Sequence, residues 1–130
     1  MAAKSQFLDQ AILNLVLRNT AYGPVAAVYA ALNTSASTPT SPGSEVVDAN
    51  YARQPVSFNA PVAGTVTNSG ILAFFGAGAA GGPYTIVEAA LYDAVSGGNE
   101  LYYGSLAVSK TVNTGDTLSF AASALSITEQ

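Results

Sequence analysis

The larger apolar residues of this 130-residue chain come in short runs, each ended by Gly, Pro, Asn, Ser or Thr. That spacing constrains the fold more than any other feature. Helix formation needs apolar residues returning every three or four positions over several turns, and only one segment offers this. Many short runs with turn residues between them predict an all-β sandwich or barrel. The apolar share of 49% excludes a disordered chain, although 24 alanines bury little area each. A chain of this length is expected to form one domain, residues 1–130, around one continuous core.

The helical segment is 5–18, SQFLDQAILNLVLR. Ser5 is placed to cap it, and Asp9 lies near the positive end of its dipole. Gln6, Gln10, Asn14 and Arg18 form one narrow polar stripe, and apolar side chains cover the rest. A helix this apolar is expected to be covered on more than one side. It either lies in the core on a sheet or also touches a neighbouring subunit. Leu15 and Val16 are its interface candidates. Asn19 and Gly23-Pro24 end it.

The β-sandwich is expected over 25–130. VAAVYAALN, residues 25–33, reads as a buried strand. TSASTPTSPGS, residues 34–44, has no apolar residue larger than Ala and reads as a mobile surface loop. Strand-like runs follow at 52–58, 62–68, 70–77 and 84–94. GAGAAGGP at 76–83 reads as a flexible glycine break. With no Lys-Ser/Thr after it, it is not a phosphate loop. Residues 91–106 read as a hairpin turning on VSGGN, and 113–116 as a second turn. LSITEQ closes the chain as a last short strand. The count is about eight strands and one helix.

Charge is scarce: 9% of residues are Asp, Glu, Lys or Arg, against about 25% in ordinary soluble domains. Lys4, Arg18, Arg53 and Lys110 are scattered, and the net charge is −4. Nothing here neutralises phosphates or an anionic membrane surface, so neither nucleic acid nor membrane is an expected partner. No apolar run approaches the roughly 18 residues of a membrane span. Asp9, Gln10 and Asn14 interrupt the N-terminal stretch, which therefore does not read as a signal peptide.

The chain has no His and no Cys. A Ser–His–Asp site is impossible, and there is no disulfide or thiolate metal site. The carboxylates form no spaced acid–base motif. Asp93 and Glu100, facing each other across the hairpin, are too few for Ca²⁺. The expectation is a chain that is not an enzyme, with no catalytic residue, cofactor or metal. So little surface charge also suggests a surface covered by other copies or other proteins.

Two further residues stand out because they are charged and lie inside strand-like runs. In TIVEAALYD, Glu88 alternates with Ile86, Ala90 and Tyr92, and a charge partly buried there needs a partner. Arg53 is the best placed, since Lys110 lies at a turn. The expectation is a structural Arg53–Glu88 ion pair, set against two separate solvent-facing residues. Tyrosines are numerous and suit interfaces, and Tyr102 and Tyr103 join the interface candidates.

Three segments carry a resemblance: AVYAALNTS at 27–35, NYARQPVSF at 50–58, and the run from ALYDAVSGGNELYYG to ITEQ at 90–130. With LDQAILNLVLRNTAYG, they resemble a family of small tailed-phage virion proteins, often labelled phage tail fibre protein. Proteins similar to these also serve as capsid cement (decoration) proteins. The resemblance implies a mainly β, jelly-roll-like antiparallel β-sandwich with one N-terminal helix. It implies a structural virion protein on the outer capsid surface, a homotrimer that bridges subunits of the major capsid protein. The alternative is a tail fibre or baseplate component that contacts the host surface.

Overall fold

The computed structural model of the chain describes residues 3–23, 25–75 and 83–129. The elements run β1 (Ala3–Lys4), α1 (Gln6–Leu17), β2 (Val28–Asn33), β3 (Gln54–Val56), β4 (Thr65–Thr67), β5 (Leu72–Phe75), β6 (Tyr84–Tyr92), β7 (Glu100–Val112), β8 (Thr117–Phe120) and β9 (Ser126–Thr128). The protein is mainly β. The glycine break expected at 76–83 lies outside the described residues except for Pro83. The two-residue β1 had no sequence signal.

One antiparallel sheet dominates, in the order β1-β7-β6-β2-β3. Two short antiparallel pairs, β4–β9 and β5–β8, lie against one of its faces. The core forms between them. From the sheet it takes Ala30, Leu32, Ile86, Leu91 and Val112, and from the pairs Leu72, Phe74 and Ile127. Tyr51 and Phe74 stack at 6.1 Å within it, and Phe120 meets Phe74 edge-on. At about 25 cal/mol per Å² of apolar area, these large side chains supply most of the drive to fold.

A buried Asn68 holds the small pairs together. Its side chain donates to the carbonyls of Gly70 (2.7 Å) and Ala121 (3.0 Å) and accepts from the Leu125 N–H (2.8 Å). The Asn68 side chain thus ties together the backbone at the ends of all four short strands.

The β6–β7 hairpin turns on Gly97 and Gly98, both at positive φ. Its register slips partway along. Ile86 pairs with Lys110 and Glu88 with Ser105, so Val87 alone faces residues 106–109. This bulge re-aims the strand. Ile86 points into the core, whereas Glu88, Ala90 and Tyr92 face the opposite side of the sheet. The alternation read from the sequence, with Ile86 and Glu88 on one face, is therefore corrected.

Helix α1 also departs from expectation. Ser5 caps it by accepting the Leu8 N–H, and Asn19 ends it in the left-handed conformation that Asn tolerates. Yet among its apolar residues only Leu8 is buried. Leu15 keeps 45% of its surface exposed, Val16 69% and Leu17 74%. The helix lies along the side of the sandwich and is not enclosed by it.

Candidate functional site

Apart from Asn68, the chain's described buried polar groups gather on the side of the large sheet away from the core and at its rim. Asn33 on β2 sits directly across from Glu88 on β6. Residues 34–44 form the expected surface loop, exposed except at Ser37 and Gly43, and fold back over this pair. Thr34 N–H donates to Ser44 O (2.8 Å), closing the loop at its base. Gly43 fits there because it has no side chain: a Cβ would lie 2.1 Å from Ser35 O.

Ser37, at the loop's inner turn, is buried against Glu88. Its N–H lies 3.0 Å from each carboxylate oxygen, and its Oγ lies 2.5 Å from Oε1. Asn33 Nδ2 donates to the same Oε1 at 2.7 Å. Glu100 approaches Ser37 Oγ from the other side, at 2.9 Å. Its backbone oxygen accepts from the Ser5 hydroxyl. Burial, above all, raises the Glu100 pKa. The neighbouring Glu88 charge adds to this, while hydrogen bonds from Ser37 and Tyr92 and the Arg53 charge act against it.

Arg53 is not the partner of Glu88. It pairs with Glu45 through two nitrogens, Nε (2.9 Å) and Nη2 (2.8 Å). Its Nη1 donates to the carbonyls of Ala94 (2.9 Å) and Gly97 (2.8 Å), and its guanidinium lies 3.7 Å over the Tyr92 ring. The expected Arg53–Glu88 ion pair is corrected on this geometry. Glu88 finds its donors on β2 and the 34–44 loop, while Arg53 ties β3 to the hairpin tip. Burial tends to raise Glu45, but the donors Arg53 and Tyr51 hold its pKa below the ordinary carboxylate value. Tyr51 donates to Glu45 (2.7 Å) and accepts the Leu32 N–H, and burial pushes its hydroxyl pKa up. Burial and the Glu100 charge push Tyr92 up to about 12.

The four interface candidates fall in two places. Leu15 and Val16 lie on α1, where Leu13, Val16 and Leu17 form an exposed apolar stripe. Tyr102 and Tyr103 lie where β1 meets β7, paired with Lys4 and Ala3. Tyr102 is half-buried and donates to Glu129 (2.7 Å), which also accepts from Lys4 (2.5 Å). Beneath Tyr102 opens an apolar groove of about 370 Å³, lined by Val28, Phe58, Val66, Leu101 and Ile127. Tyr103 packs on Ala31, Ala90 and Tyr92 across the opposite face. The sequence reading missed Ser37, Asn33 and Glu45 as members of the polar cluster. The signal available for Asn33 and Ser37 was the need of Glu88 for donors.

Among the described residues no group of three metal-ligating side chains comes together. The arrangement suits rigid support, with charge neutralised inside and apolar surface left outside. Residues 3–128 match the family model described as "Podophage GP4 fiber I protein gp80". No curated protein matches the chain.

Proposed function

From the premise that the chain belongs to the podophage GP4 fiber I protein gp80 family, a family of structural phage virion proteins, we propose that it is a fibre component of the phage tail, a homotrimer holding its place through apolar and neutral hydrogen-bonded contacts. The family match carries this reading, since its description names a fibre protein and not a capsid cement. The exposed stripe on α1 supports self-association. Leu13, Val16 and Leu17 leave three large apolar side chains in water on a single copy, an arrangement that burial against another copy relieves.

The test is the protein's position in the intact particle, read by cryo-electron microscopy of virions carrying a tagged copy. Density confined to the tail supports the proposal. Density over the whole shell, in contact with the major capsid protein, would overturn it in favour of cement. Sedimentation of the free protein tests the oligomer separately, with an expected mass about three times 13.1 kDa.

A further inference from the structure

The polar cluster over the large sheet holds more acceptors than protons. Ser37 Oγ lies within hydrogen-bond distance of both Glu88 Oε1 (2.5 Å) and Glu100 Oε2 (2.9 Å). A hydroxyl has one proton and donates to one acceptor, so it cannot serve two ionised carboxylates. The other donors do not fill the gap. The Ser37 N–H is shared between the two oxygens of Glu88, and Asn33 Nδ2 turns one proton to Glu88 at 2.7 Å and the other to Ser37 Oγ at 3.3 Å, none to Glu100. The Gly43 N–H donates into Ser37 Oγ at 2.8 Å. The Tyr92 hydroxyl stands 3.5 Å from Glu100. Asn33 Oδ1 is buried with no donor among the described residues.

We infer that Glu100 keeps its carboxyl proton beside Glu88, and that this proton latches the 34–44 loop onto the sheet. With Ser37 donating to Glu88, the contact to Glu100 is a hydrogen bond only if the Glu100 carboxyl donates. Glu100 has fewer donors turned toward it than Glu88, so it is the one that keeps the proton.

The groups facing Glu100 are known from every side. Glu88 and Tyr92 face it from β6, and Tyr103 from β7. Arg53 comes from ahead of β3 with Glu45 behind it, and Asp9 reaches the same region from α1. The 34–44 loop brings no titratable group. Arg53 is the one cation of this set, and Glu45 already neutralises it.

Ionising Glu100 therefore sets two largely buried carboxylates on one hydroxyl. The contact that yields is Ser37, because it belongs to a loop and the carboxylates to strands. The helix is seated on the same pieces. Gln6 N–H donates to Pro39 O in the loop (2.7 Å), and Ser5 N–H to Leu101 O (2.9 Å). Releasing the loop thus loosens the first turn of α1 as well.

The full chain is titrated by carbon-13 NMR of the glutamate carboxyls, with amide hydrogen exchange followed at Ser37, Gly43 and Gln6. The Glu100 carboxyl is expected to ionise after those of Glu45 and Glu129. Over that titration, protection at the three amides should fall about tenfold per pH unit, once intrinsic base catalysis is removed. In Glu100→Gln the amide supplies the proton permanently, so protection should persist and its pH dependence vanish. If the Glu100 carboxyl ionises together with those of Glu45 and Glu129, the inference is wrong. That titration needs only the natural chain, so it decides the question even if the variant fails to fold.

Discussion

Arg53 donates from all three guanidinium nitrogens while its side chain is only 8% exposed. Removing one partner of such a pair leaves the rest desolvated and unpaired. Arg53→Met should destabilise the fold by about 3–5 kcal/mol, seen as a lower urea midpoint at unchanged slope. A cost under about 1 kcal/mol would mean that water already satisfies Glu45 and the hairpin carbonyls. At this scale the sequence was half legible. That Glu88 needs a partner follows from its strand, but which partner depends on a loop with no apolar residue to announce where it packs. Asn68 was not legible at all, because an Asn between two short strands reads as a turn until the carbonyls of Gly70 and Ala121 are seen converging on it.

Among the elements, α1 and the strands behaved differently as sequence signals. The helix's existence, its Ser5 cap and its end were readable, because capping chemistry is local. Its burial was not, because an apolar face says that something covers it without saying what. Most strands appeared where short runs predicted them, and the β6–β7 hairpin followed from its paired glycines. The bulge had no local mark, and it moved Glu88 off the face of Ile86. The exposure of α1 also separates folding from assembly. Leu15 and Val16 both retain much of their surface in the single chain. Changing Val16 and Leu17 to Ser should therefore shift the unfolding free energy of the single chain by only about 0.5 kcal/mol. It should also move the sedimenting species from oligomer to monomer. An unchanged oligomer with these substitutions would place the subunit contact elsewhere, with the Tyr102–Tyr103 region next in line.

The whole molecule's response to pH is set by glutamates acting in opposite directions, Glu45 and the more exposed Glu129 on one side and Glu100 on the other. Glu45 is held below its ordinary value of 4.5, so its contribution is present above that value and is lost as pH falls through the lower folded value. Glu100 is held above 4.5, so its contribution is complete below that value and is lost as pH rises through the higher folded one. Stability measured by urea from about pH 3 to about pH 9 should pass through a maximum on the mildly acidic side. Glu100→Gln should flatten the alkaline limb alone. Salt should matter little. With four cations and eight anions spread over the chain, retention on purified particles should persist at about 1 M NaCl, and wholesale release would point to electrostatic docking. The slipped register of β7 has a consequence for growth. Beyond Gly104 its outer edge carries no strand among the described residues, and a bare edge invites endless ribbons. Here the surplus stretch at 106–109 buckles that edge, and Lys110 stands just past it. A second copy laid alongside would lose step within a few residues, so this edge resists growth into fibrils.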